Sequence, residues 1–262
     1  MAGAVILSGE GALRSGIGLL RIVAAPNNEI AVHAALPAAL FSPWPSTPDE
    51  LSKLVESTDV MAIGPGLGSS PVTRELVERI LLAWSGPVVL DADALNIFAG
   101  DVSSLAKLLK GRPAVITPHP AEMGRLIGKS TTEILDDRFE IGIDVARTLD
   151  AAVLLKGTPT VVFSSSGDRY VSAAGTAALA TGGSGDVLTG IVATLLFQAR
   201  KGNGASAMAA ACGAFIHGRA AELCGKVRGT TLDDVLRALP AAWNETPRPM
   251  RDGMLADLPI FR

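Results

Sequence analysis

The stretch from Gly175 to Gln198, GTAALATGGSGDVLTGIVATLLFQ, constrains this chain more than any other. Small residues lead into Gly182-Gly183-Ser184-Gly185-Asp186, and an apolar helical run follows at once. Glycines at 182, 183 and 185 let the backbone turn tightly and let a ligand come close to the main chain. A helix starting near Asp186 aims its unpaired N–H groups and the positive end of its dipole into that loop, a geometry that suits phosphate. Asp186 is out of keeping with a plain phosphate cradle, because a carboxylate repels phosphate. Either it caps the helix, as Asp often does, or it grips a hydroxyl proton.

Bulk properties narrow the class. At 262 residues the length fits one large α/β domain or two small ones. A hydrophobic content of 48% against 19% charged residues gives ample material for a core. The net charge of −3, the pI near 5.7 and the lack of a basic stripe argue against a nucleic-acid surface. The mean hydropathy of +0.36 is high, so a membrane span has to be weighed. The apolar run from Val187 to Ala199 is 13 residues, short of the roughly 20 that cross a bilayer, and reads as a buried helix. Cys212 and Cys224 fall on one helical stretch, about 18 Å apart at 1.5 Å per residue. They cannot bridge each other, which fits a reducing, cytoplasmic setting.

In chain order, Gly3–Val23 reads as a helix ending at Ser15-Gly16 and a strand from Leu19. The four prolines of Pro37–Pro48 make that segment an extended surface loop. A helix over Pro48–Ser57 precedes the strand Val60–Ile63. Ser69-Ser70-Pro71 starts a helix running to about Trp84, with Val72, Leu76, Ile80 and Leu81 on one face. Strands follow at Pro87–Leu90, Ala114–Thr117 and Val153–Leu155. Helices are expected at Val102–Leu109 and over one long region from Ser130 to Leu149. Val161–Phe163 and Arg169–Val171 form a hairpin around Ser166-Gly167-Asp168. Beyond the central loop come helices Ala205–Cys224 and Leu232–Trp243, the second capped by Thr231. Residues 1–245 read as a single α/β domain, and the polar, proline-rich tail 246–262 as loose. Strands buried on both faces and alternating with helices imply a mostly parallel sheet with helices on both sides.

In such sheets ligands bind beyond the carboxyl ends of the strands. Gly64–Gly68, Asp91–Asn96, Thr117–Glu122 and Lys156–Thr160 all follow strands, and the central loop brings Gly182–Asp186 to the same rim. Together they supply a phosphate cradle, a lysine, a histidine and several carboxylates, the components of phosphoryl transfer through a metal. No G-x-x-x-x-G-K-[ST] motif is present, and no G-x-G-x-x-G opens the first strand-to-helix turn, which sets aside P-loop and dinucleotide-binding Rossmann proteins. His119, fixed between Pro118 and Pro120, reads as facing a ligand, while His33 and His217 read as ordinary surface or core residues. Lys156 ends an apolar strand, where an ammonium either meets an anion such as phosphate or snorkels to solvent. Asp91 and Asp93 either ligate a metal or water, or merely set a turn.

GPGLG (64–68), VVLDADALN (88–96), VITPHPAEM (115–123), VLLKG (153–157) and ATGGSGDVLTGIVATLL (180–196), in this order, carry a resemblance. From about Gly3 to Trp243 the chain resembles the ADP/ATP-dependent NAD(P)H-hydrate dehydratases, which have the ribokinase-like fold. The resemblance implies nicotinamide nucleotide repair. The S epimer of hydrated NADH or NADPH is phosphorylated on its added hydroxyl by ADP or ATP, and phosphate then leaves. Asp186 would be the base, and the backbone N–H groups of Gly183 to Asp186 the anion hole. Ala4, Gly66, His119 and Asp186 would contact the hydrated dinucleotide. Lys156, Gly157, Thr158, Pro159, Thr160, Gly183, Ser184 and Gly185 would hold the adenine nucleotide, with Glu122 near Mg2+.

Three departures accompany the likeness. The family has a glycine-rich strand and loop ahead of the Gly3-Ala4 position, so the resemblance implies a fragment or a mis-started chain. Thr176-Ala177-Ala178-Leu179 stands where relatives tend to have Asn-Pro-Gly-Met. Many relatives carry a fused epimerase, which here is expected from elsewhere; the family is often tetrameric, which implies a homo-oligomer. The competing readings are a thiazole- or pyrimidine-type small-molecule kinase of the same fold and a nucleotide-binding relative that has lost catalysis.

Overall fold

The computed structural model describes residues 1–199 and 204–245. The tail expected to be loose over 246–262 lies outside the described residues. Helix α1 (Ala2–Arg14) opens the chain, followed by strand β1 (Arg21–Ala24), helix α2 (Glu29–Ala35) and strand β2 (Leu40–Pro43). Here the proline-rich loop expected over Pro37–Pro48 gives way to a strand. β2 pairs parallel to β1, Arg21 opposite Leu40, in a two-stranded sheet of its own. Edge strands tolerate proline because their outer N–H groups face no partner, and Pro43 ends this one.

Helix α3 (Pro48–Glu56) is fixed by a capping box of Thr47 with Glu50 and leads to β3 (Met61–Ile63). Helix α4 (Pro71–Ala83) is capped by the Ser70 hydroxyl. Its buried face is Thr73, Val77, Ile80 and Leu81. Val72, expected on that face, is 73% exposed, and Leu76 is half-buried. Buried positions at i, i+4, i+7 and i+8 are the helical period, and the expected face places the first two of them one residue early.

Strand β4 (Val88–Leu90), the short helix α5 (Asp93–Asn96), α6 (Val102–Leu109), β5 (Ala114–Ile116) and α7 (Pro120–Ile127) follow. The single helical region expected from Ser130 to Leu149 is two helices, α8 (Thr131–Asp136) and α9 (Gly142–Leu149). A Cβ on Gly142 would stand 2.1 Å from the Phe163 ring, so α9 starts where the bare backbone can press on that ring.

Strands β6 (Ala152–Leu155), β7 (Thr160–Phe163) and β8 (Arg169–Ser172) precede three long helices, α10 (Ser184–Gln198), α11 (Ala205–Leu223) and α12 (Leu232–Trp243). None of the described helices is long and apolar enough to cross a membrane. The main sheet runs β3-β4-β5-β6-β7-β8. The first four strands are parallel and the last two pairings antiparallel.

Because the parallel strands advance in one direction, right-handed crossovers put their connecting helices on one face. Alternate strand residues show this division. Val88, Leu90, Ile116, Val153 and Leu155 pack with α4, α6, α7 and α9 residues such as Leu81, Leu105, Met123 and Leu149. Val89, Val115, Ala152 and Leu154 face the other way, onto Leu188, Val192 and Leu196 of α10 and the alanines of α11. Both faces are thus covered, and the short apolar strands lack the polar alternation of a one-sided sheet. The carboxyl ends of β3 to β6 open together onto one rim, where α10 begins.

Candidate active site

The rim gathers all five clusters. Lys156, at the end of β6, donates from Nζ to Asp91 Oδ1 at 2.6 Å and lies 3.7 Å from Glu122 Oε2. A Cβ added to Gly185 would stand 3.2 Å from Lys156 Nζ and 3.9 Å from Asp91 Oδ2. The first turn of α10 therefore sits directly over the lysine. Asp93 Oδ2 accepts the N–H of Gly68 at 2.7 Å, which ties the Gly64–Gly68 turn to the next strand's end. Gly64 has φ +131, and a Cβ there would strike the Asp91 carbonyl, so only glycine fits that crossing.

Gly183 caps α10 with φ +93 in the left-handed region, and a Cβ on it would meet Leu7 Cδ1 at 2.4 Å. Helix N-termini carry N–H groups with no partner inside the helix. The Ser184 N–H is already bonded to the Thr181 carbonyl at 3.2 Å, and the Ser184 side chain is buried. Asp186 is half-buried in this first turn. Burial pushes its carboxyl up to about 6, the Asp91, Asp93 and Glu122 charges add to the rise, and Lys156 opposes it. A carboxylate with its pKa brought toward neutrality is suited to taking a proton.

His119 is a helix cap. Its Nδ1 accepts from the backbone N–H groups of Ala121 and Glu122 at 3.1 and 3.3 Å, and Nε2 lies 3.3 Å from Glu122 Oε1. The ring is still 45% exposed on the rim, so its edge is open to a ligand. Burial lowers its pKa, Glu122 draws it up, and Lys156 and Arg125 push it down. Glu122, almost fully buried, completes the box by accepting the His119 N–H at 2.8 Å. Proline at N1 and glutamate at N3 are cap signals. The sequence reading missed α7 because histidine is not among the usual cap residues.

Gly157–Thr160 forms an exposed or half-buried turn between β6 and β7. Thr160 Oγ1 donates to the Gly157 carbonyl at 3.0 Å, and Arg138, from the α8–α9 break, donates from Nη1 to the Thr158 carbonyl at 3.1 Å. Pro159 follows a cis bond. Ala4, in α1, is buried and would lie 3.2 Å from a Cβ on Gly66, so these two expected substrate contacts are neighbours.

Two residues were under-read. Asp91, left open between ligand and turn, is 1% exposed and bonded to both Lys156 and Thr189, whose Oγ1 donates to Asp91 Oδ2 at 2.6 Å. Thr189 was not singled out. Its signal is a hydroxyl one turn past Gly185 in a largely apolar helix. A separate cleft of about 940 Å³, bordered by Leu126, Lys129, Glu140, Arg147 and Arg169, includes none of the glycine-loop residues.

Comparison with known proteins gives the chain a family. The model of the family described as NAD(P)H-hydrate dehydratase matches residues 1–240. The bifunctional NAD(P)H-hydrate repair enzyme Nnr of Moorella thermoacetica is 40% identical over 241 residues, covering 87% of this chain and 44% of that protein. The chain thus spans less than half the length of that relative. The ADP-dependent (S)-NAD(P)H-hydrate dehydratase of Neisseria meningitidis is 36% identical over 236 residues, covering 87% of this chain and 75% of that one. The crystal structure of the ADP/ATP-dependent NAD(P)H-hydrate dehydratase of Bacillus subtilis, co-crystallised with ATP and Mg2+, superposes with a TM-score of 0.77 at 30% identity, covering 93% of this chain and 84% of that one. A glycine-capped helix aimed at a lysine and an acid, on a ribokinase-like sheet matched over nearly its whole described length, places this chain in the NAD(P)H-hydrate dehydratase family.

Proposed function

We propose that the chain dehydrates the S epimer of hydrated NADH or NADPH, using ADP or ATP to phosphorylate the added hydroxyl. The observation that carries this reading is Asp186, with its carboxyl raised to about 6, in the first turn of a glycine-capped helix whose Gly185 faces Lys156. Hydroxide is a poor leaving group and phosphate a good one. Asp186 removes the hydroxyl proton as the oxygen attacks the terminal phosphorus of the nucleotide. The P–O bond to the nucleotide breaks and the shortened nucleotide departs. The moving phosphoryl group is held by Lys156 and by the free N–H groups of Gly183, Gly185 and Asp186. The ring nitrogen's electron pair then expels phosphate, and loss of a proton from the ring carbon beside the one that carried it forms the double bond that restores the reduced nicotinamide.

His119 and the Ala4–Gly66 contact border the dinucleotide side. Gly157–Thr160 borders the adenine nucleotide. Among the described residues no group of three or more His, Cys, Asp or Glu side chains is arranged to hold a metal ion. Magnesium usually keeps several waters and binds through substrate phosphates, and the surplus of carboxylates around Lys156 suits an ion that arrives with the nucleotide. It would neutralise phosphate charge there, with Glu122 among the carboxylates that would lie near it.

The test is to incubate the protein with hydrated NADH and either ADP or ATP and follow the absorbance of reduced nicotinamide. Recovery that depends on the nucleotide is expected. No recovery, with phosphorylation of a thiazole or pyrimidine alcohol instead, would replace this reading with a small-molecule kinase. Nucleotide protection against heat without turnover would mark a binding protein that has lost catalysis.

A further inference from the structure

We infer that Asp91 is the positioning residue of the nucleotide site, its carboxylate joining Lys156 and Thr189 and so fixing the ammonium over the first turn of α10. This rests on the nucleotide reading given above. Three separate elements meet at the carboxylate: Asp91 ends β4, Lys156 ends β6 with Oδ1 at 2.6 Å from its Nζ, and Thr189 lies in α10 with Oδ2 at 2.6 Å from its Oγ1. The backbone beneath them is held as well. The Asp91 N–H donates to the Ile63 carbonyl at 3.1 Å, its carbonyl accepts from Ala94 at 3.0 Å, and the Lys156 N–H donates to the Pro118 carbonyl at 2.9 Å.

Lys156 has two carboxylates in reach, from different elements. Asp91 at 2.6 Å holds it beneath Gly185, while Glu122 at 3.7 Å belongs to the His119 cap. Attraction between charges rises as the distance and the local dielectric fall. The nearer, fully buried carboxylate therefore decides where the ammonium points. An asparagine at 91 keeps the shape and still accepts from Thr189, but loses the charge. Glu122 then becomes the stronger partner, and the ammonium swings away from the helix N-terminus that would share the phosphate with it. Asp91 thus acts through Lys156 and need not touch the nucleotide.

ADP titrated into the full chain tests this in wild type, Asp91→Asn, Lys156→Ala, the double variant, Thr189→Val and Thr189→Ser, with a thermal melt of each. Coupled residues are non-additive, so Asp91→Asn should weaken ADP binding by roughly tenfold while the double variant binds no more weakly than Lys156→Ala. Thr189→Val should also weaken binding, and Thr189→Ser should restore it. Wild-type ADP affinity in Asp91→Asn, or fully additive losses in the double variant, would overturn the positioning role and leave the nucleotide site standing. A wild-type chain that binds no ADP would remove the nucleotide reading and this inference with it.

Discussion

A methyl group on Gly190 would stand 1.9 Å from the carbonyl oxygen of Ser8, so α10 and α1 meet through bare backbone. Gly11 repeats the contact from the other helix, its Cβ position 2.3 Å from the Val187 carbonyl. The close approach fixes the direction of α10, and with it the aim of the N-terminus that carries Asp186.

Gly190→Ala is expected to force these helices apart. Neither clashing atom belongs to a flexible side chain, so the cost is that of overpacking, about 1–3 kcal/mol. Urea unfolding measures it, and a variant as stable as wild type would show that the helices separate freely.

Asp186→Asn should keep nucleotide binding and lose most of the rate, about 100-fold or more for a general base. In the wild-type chain the rate should fall on the acid side as pH drops through about 6, where Asp186 gains its proton. The sign for stability is the reverse of that for a paired carboxylate. Because the folded-state pKa of Asp186 lies above its ordinary value, the folded chain holds the proton more tightly. Its contribution is fully present below the ordinary carboxylate range and is lost as pH rises toward about 6. Unfolding curves at pH 4 and pH 8 should therefore show Asp186→Asn gaining on wild type at the higher pH. A rate untouched by the substitution would remove the assigned base.

Lys156→Ala should weaken adenine nucleotide binding, since the ammonium is the side-chain cation facing Gly185. It also leaves Asp91 buried without its charged partner, so stability should fall by about 3 kcal/mol. Calorimetric titration with ADP and a denaturant melt separate the two effects. Unchanged affinity would count against the phosphate role.

Arg138→Ala should loosen the Gly157–Thr160 turn. Nη1 holds the Thr158 carbonyl at 3.1 Å, whereas Nε and Nη2 are buried without partners, and burial pushes the guanidinium pKa down. Losing one hydrogen bond costs about 1 kcal/mol, while unsatisfied buried donors disappear with it. Nucleotide affinity should therefore drop a fewfold with little change in melting temperature. A large loss of stability with unchanged affinity would contradict this.

The sequence alone determined the alternation of short apolar strands with helices, the helix start at Ser69-Ser70-Pro71, the cap at Thr231, and the five clusters that follow strands or precede α10. These are local features, since periodicity, cap residues and glycine turns are written within a few neighbouring positions. Only the tertiary structure decided that a proline-flanked segment pairs as β2 and that Asp91 meets Lys156 and Thr189. Those last two contacts join positions 65 and 98 residues apart. Such contacts depend on the order and register of strands and on how closely α10 approaches the sheet, and no local pattern encodes that distance.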